Sequence, residues 1–266
     1  MKIKIPKSYA DKKPYTAYFF IVLFTISKSQ NITIQNGQQV YIDLLDNIYI
    51  TDKDNLSLIS KPKKISYQNQ FLGDIYSIDI SNPLRILVFH KEANQIVFLN
   101  NELSIIGDAI KLDELNLPDV NIVCSSQING FWLYNNLSNR IEYYDHNLKK
   151  IHTSINLTNL IDNLDDIRTL KMYGERIYLN VQNTGILVFD MFATYIKTLP
   201  IINPNSFQVL NHSILFTKDN QILEYDFDKI ETSIIFQSDS EIRYAKAFNK
   251  YLYYQKGNTL LKIKTK

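Results

Sequence analysis

Six short apolar runs recur along the chain: Ile48-Tyr49-Ile50, Ile86-Leu87-Val88, Phe131-Trp132-Leu133, Ile177-Tyr178-Leu179, Ile214-Leu215-Phe216 and Leu252-Tyr253-Tyr254. Their first residues are 38, 45, 46, 37 and 38 positions apart. Each is followed by a polar turn and a second apolar run, entered at Leu56, Ile96, Ile141, Ile186, Ile222 and Leu260, at offsets of 8, 10, 10, 9, 8 and 8. A steady spacing inside each unit and a variable gap between units is the pattern of a rigid hairpin repeated with loop insertions. The runs are rich in Ile, Val, Tyr and Phe, and Asn135-Asn136, Asp219-Asn220 and Gly257-Asn258 punctuate them, so strands are predicted rather than helices.

Most units also carry a preceding strand, as at 75–80 and 167–173, and a following one, as at 149–155 and 195–201. Four strands in about 40 residues make one blade of a propeller. The predicted fold class is therefore all-β, a six-bladed β-propeller of four-stranded antiparallel blades. The last unit, from Glu241 to Lys266, has room for three strands, while the segment from Asn31 to Gln35 has no unit of its own. Pairing that segment as the outer strand of the last blade closes the ring and removes two exposed sheet edges. Two longer gaps, 108–115 and 157–167, fall on the same face as the central hairpin turns. In the second, Leu157, Leu160, Ile161 and Leu164 follow helical spacing, which predicts a short helix.

Composition changes the picture in one respect. The chain has 7 glycines in 266 residues, so tight turns must draw on another residue that tolerates positive φ. Asparagine, present 27 times, is the expected substitute.

The N-terminus reads as an export signal. Lys2, Lys4, Lys7, Lys12 and Lys13 precede the apolar run from Ala17 to Phe24, and Ser27-Lys28-Ser29 follows it. The apolar core is shorter than the roughly 20 residues that span a bilayer. Cleavage after Ser29 is the expectation, with an uncleaved anchor or a basic tail as alternatives. The domain organisation is then a signal peptide over 1–29 and one propeller domain over 30–266. Without residues 1–29 the chain keeps 23 basic and 26 acidic side chains, a net of −3. A nucleic-acid binder shows a basic stripe, because phosphate neutralisation drives its affinity; this chain has none, and that class is excluded. Cys124 is the single cysteine. It permits no intramolecular disulfide and reads as a small buried hydrophobe.

The stretch from Asn82 to Asn101, with Phe131-Trp132-Leu133-Tyr134 and Glu142-Tyr143-Tyr144-Asp145, resembles an uncharacterised family of exported proteins from Bacteroidota. The resemblance runs from the signal peptide to the C-terminus. It implies a six-bladed architecture of the NHL type and an envelope location, and it carries no catalytic role.

Candidate chemistry is sparse. The four histidines, His90, His146, His152 and His212, stand outside any metal-ligand motif, and three of them abut turns, where an imidazole is usually exposed. Metal-dependent lactonases with six-bladed rings gather oxygen ligands in the central channel, but the inner strands here offer only Asp43, Asp79 and Glu241 as carboxylates, beside neutral and basic residues. There is no Gly-x-Ser-x-Gly elbow and no glycine-rich phosphate cradle. No catalytic residue, metal or cofactor is assigned. The densest charge cluster in an insertion is Asp162, Asp165, Asp166 and Arg168; with His90, Lys91 and Glu92 on the neighbouring hairpin turn it forms the candidate contact surface. The expected function is that of a non-enzymatic interaction module, exported to the periplasm or cell surface and binding another envelope protein. The alternatives are a glycan or small ligand at the channel mouth and a metal-dependent hydrolase.

Overall fold

Among the described residues the apolar repeat resolves into twenty-four strands arranged as six antiparallel sheets of four. The computed structural model describes residues 31–59, 65–161, 164 and 166–265; the expected signal peptide lies outside them. A short strand β1 (Ile32–Thr33) comes first. Blade 1 is β2 (Gln39–Ile42), β3 (Ile48–Asp52), β4 (Asn55–Leu58) and β5 (Ile65–Gln68). Blade 2 is β6 (Ser77–Asp79), β7 (Ile86–His90), β8 (Gln95–Leu99) and β9 (Ile110–Lys111). Blade 3 is β10 (Val120–Ser125), β11 (Phe131–Asn135), β12 (Arg140–Tyr144) and β13 (Lys150–Thr153). Blade 4 is β14 (Ile167–Tyr173), β15 (Arg176–Val181), β16 (Gly185–Asp190) and β17 (Tyr195–Leu199). Blade 5 is β18 (Ser206–Val209), β19 (Ser213–Lys218), β20 (Gln221–Asp226) and β21 (Glu231–Gln237). Blade 6 is β22 (Ile242–Phe248), β23 (Tyr251–Lys256) and β24 (Thr259–Lys264), completed by β1. The six apolar triplets are the second strands, and their paired runs are the third.

Closure follows the expected route. Strand β1 pairs with β24 through Ile32 opposite Leu260 and Thr33 opposite Thr259. The Ile34 amide then donates to the Asn258 carbonyl at 2.8 Å. Its side chain, 1% exposed, packs with Val40, Ile42 and Ile48 of blade 1 and Tyr253 and Leu260 of blade 6. Asp46, between β2 and β3, accepts hydrogen bonds from Lys262 at 2.8 Å and from the Tyr253 hydroxyl, which fastens the first blade to the last.

A single blade is apolar on both faces and cannot hide either alone. The buried side chains accordingly form six clusters, one at each junction between neighbouring blades. The largest fully buried side chain, Trp132, lies at the junction of blades 3 and 4. Asparagine does replace glycine at turns: Asn94, Asn116, Asn129, Asn139, Asn183, Asn203 and Asn249 all have positive φ. Where the second insertion was expected to form a short helix, the described residues make one 3-10 turn, Leu157–Asn159, capped by the Asn156 side chain accepting from the Thr158 amide. Its apolar positions still pack inward, with Leu157 buried and Leu160, Ile161 and Leu164 against the cluster of blades 3 and 4.

The strand order defines two faces. Turns joining first to second and third to fourth strands lie on one, termed the turn face. Central hairpin turns and blade-to-blade connections lie on the other, the connection face.

Candidate functional site

The innermost strands β2, β6, β10, β14, β18 and β22 surround the axial channel. Their register against the second strands puts one residue from each blade at a single level. Tyr41, Asp79, Cys124, Lys171, Gln208 and Lys246 lie opposite Tyr49, Leu87, Trp132, Tyr178, Leu215 and Tyr253, in each case the second residue of the repeated triplet. Except for the buried Cys124, these residues are only half-buried although their strands are the innermost of the molecule.

The ring is tied together from blade to blade. Asp79 accepts the Ser125 amide at 2.9 Å, Lys171 donates to the Phe207 carbonyl, and Lys246 donates to the Ile42 carbonyl. Between the two lysines, Gln208 bonds both backbone groups of Ala247, accepting its amide at 2.8 Å and donating to its carbonyl at 3.0 Å. The Lys171 ammonium also lies 4.6 Å from the centre of the Phe207 ring.

Burial disfavours a charged lysine. It draws Lys171 down to about 8, with repulsion from Lys246 adding to the shift and Asp79 opposing it. Lys246 is lowered for the same main reason, opposed by Asp43 and Asp79. Burial pushes the Cys124 thiol well up, so it is inert as a nucleophile at neutral pH. Among the described residues no group of three or more His, Cys, Asp or Glu side chains could hold a metal ion. The ring therefore presents ammonium, amide and phenol groups to the channel beside one carboxylate, Asp79, which is engaged by the Ser81 and Ser125 amides.

The contact surface expected from the sequence is only partly assembled. His90 is a correction: it is 0% exposed. Its Nδ1 donates to the Gly73 carbonyl at 2.9 Å and its Nε2 accepts from the Tyr67 hydroxyl at 3.1 Å. Tyr67, from the outer strand of blade 1, and the loop carrying Gly73 close over a ring that sequence position alone would leave at a turn. Lys91 is half-buried; it bonds Asn121 at 2.5 Å and lies 4.5 Å from the Tyr76 ring centre. Glu92 is exposed on the connection face. Asp166 and Arg168, also exposed, pair with each other at 2.8 Å, and Arg168 donates to Gln182 at 2.7 Å. Asp162 and Asp165 lie outside the described residues. Asn121 links the two groups by donating to the Ile167 carbonyl at 3.3 Å.

The exposed apolar side chains concentrate elsewhere. Leu44 and Leu45 (53% and 64% exposed), Leu84, Ile128, Tyr173 and Phe192 all sit in or beside the turn-face turns of blades 1 to 4. Other turns of that face expose Ile105, Ile106, Leu148 and Ile230. The connection face has Phe71, Tyr76, Leu137 and Ile155, spread over separate loops.

No family model and no curated protein matches this chain. Solved structures do. A streptogramin B lyase superposes with a TM-score of 0.61 at 14% identity, over 85% of this chain and 78% of the lyase. A catalytically inactive virginiamycin B lyase variant from Staphylococcus aureus, solved with quinupristin, gives 0.62 at 12% identity, over 90% and 99%. The Pan2 WD40 domain of Neurospora crassa gives 0.59 at 9% identity, over 85% and 88%. These likenesses establish a β-propeller. At such identities they carry the fold alone, and lyases and a WD40 domain share it because function resides in sites grafted onto the scaffold.

Proposed function

We propose that this chain is a non-enzymatic interaction module of the bacterial cell envelope that docks a partner protein through its turn face. The observation that carries the reading is the run of exposed Leu44, Leu45, Leu84, Ile128, Tyr173 and Phe192 across four consecutive blades. Scattered apolar residues are ordinary on a protein surface, whereas their concentration on one face of a rigid scaffold is the usual mark of a contact site. The contact therefore lies opposite the groups singled out in the sequence, of which His90, Lys91, Asp166 and Arg168 are engaged within the molecule. The envelope address rests on the N-terminal pattern of basic, apolar and small residues.

Photo-cross-linking in the producing cells tests this. A benzophenone side chain placed at Leu84 or Phe192 should give one adduct of defined mass, lost when Leu45→Glu is added. The same group at Leu137 on the connection face should give none. Equal labelling from both faces, no adduct, or an adduct of twice the protein's own mass would overturn the proposal.

A further inference from the structure

We propose that the ring in the axial channel binds a small oxyanion, a carboxylate or a tetrahedral oxyanion, between the ammonium groups of Lys171 and Lys246. The two lysines occupy the same register level on blades 4 and 6, separated by one blade. Neither forms an ion pair among the described residues. Each ammonium carries three donors and spends one on the carbonyl of the next blade. The ring's one carboxylate, Asp79, already accepts the Ser81 amide at 2.8 Å and the Ser125 amide at 2.9 Å. Asp43, the other acid near Lys246, is fully buried and taken up by the Leu45 and Asn47 amides, the Asn47 side chain and the Tyr49 hydroxyl.

Charge is not needed to staple these blades. Gln208, at the same level on the blade between the lysines, does so with a neutral amide. Placing two cations together in a partly desolvated channel is costly, and Asp79 and Asp43 offset that cost only in part, since both lysines remain lowered. The other titratable groups at hand, Cys124, Tyr41 and Tyr244, are all held in their neutral forms by burial. An anion at this level would meet two ammonium groups, with Thr169, Ser206 and the Tyr244 ring half-buried one level further toward the connection face.

The test is calorimetric titration of the purified chain with sodium D-galacturonate and, separately, sodium sulfate, whose charges are constant between pH 7 and 9. At about 10 mM probe even a Kd near 1 mM saturates most of the site. One-to-one binding is expected for at least one probe. Galacturonate alone would identify a carboxylate ligand, and sulfate alone a tetrahedral one. With Lys171 at about 8, affinity should fall about tenfold from pH 7 to pH 9. Lys171→Gln and Lys246→Gln, which retain a donor for the neighbouring carbonyl, should each abolish binding while the circular dichroism spectrum is unchanged. The pH series on the unaltered chain needs no variant to fold. Absence of binding by both probes, affinity independent of pH, or undiminished binding in folded Gln variants would overturn the assignment.

Discussion

Ring closure rests on a few residues of the described N-terminus, and Ile34 is where it can be tested most sharply. Only two residue pairs join β1 to β24, so their hydrogen bonds contribute little alone. Ile34, 1% exposed, is wedged between side chains of blade 1 and blade 6. Truncating a fully buried isoleucine to alanine removes its transfer free energy and leaves a cavity, together about 2–5 kcal/mol. Because the pocket is shared by the two blades that meet where the ring closes, we expect Ile34→Ala to cost about 3 kcal/mol. For a domain of this size each kcal/mol moves the melting temperature by about 2–4 °C, which predicts a fall of about 6–12 °C. Urea unfolding followed by tryptophan fluorescence measures the same quantity through Trp132. Ile196→Ala, on the outer strand of blade 4 at 44% exposure, is the control and should stay within about 0.5 kcal/mol. A loss under about 1 kcal/mol for Ile34→Ala would mean that the N-terminal segment does not hold the ring shut.

Two further outcomes follow from buried and strained positions. His90 has its pKa lowered by burial, partly offset by hydrogen bonding to backbone, so the folded protein holds it neutral where the unfolded chain protonates near 6.5. Its contribution is present above that pH and lost as the pH falls through it; between pH 7 and 5 the urea midpoint should drop less in His90→Gln than in the unaltered protein, and equal drops would contradict this. Ile230, 73% exposed at φ 56, is a β-branched residue in the left-handed region, a conformation costing about 1–2 kcal/mol. Calorimetric melting of Ile230→Asn should show a gain of about 1 kcal/mol, or about 2–4 °C, and a lower melting temperature would refute the strain argument.

Much of the architecture was legible because blades repeat. The second strand of every blade is a continuous apolar run, since both its faces are covered by neighbouring blades. The segment from Asn31 to Gln35, which has no repeat unit of its own, likewise pointed to closure, because a final blade with three strands leaves one edge open. The channel ring was harder to see. Counting back from the second residue of each triplet reaches it at eight residues in blades 1 to 3 and seven in blades 4 to 6, because the inner hairpins differ by one residue. Asp79 stands out in the sequence as a carboxylate on an inner strand, whereas the significance of Lys171 and Lys246 appears only when three blades are placed side by side. His90 misled for a related reason. It ends a strand next to a turn, and nothing local reveals that Tyr67 and Gly73, from the preceding blade and its connection, enclose it.

The same repetition sharpens the case for the turn face. In blades 2 to 5 the turn between third and fourth strands is built on one device: Asn100, Asp145, Asp190 or Asp226 accepts backbone amides with its side chain. Three or four residues on, Leu103, Leu148, Ala193 and Ile230 take positive φ. Leu103 and Ala193 are buried, so packing explains a residue with a side chain there. Leu148 and Ile230 face solvent, where asparagine would relieve backbone strain and avoid exposing hydrocarbon. Among the described residues, asparagine takes that conformation seven times elsewhere. Apolar residues at the two exposed positions are therefore unfavourable in both backbone conformation and hydration for the isolated molecule. Burial against a partner removes the hydration penalty and gives the side chain a role, which is the arrangement expected of a surface that is covered when the protein works.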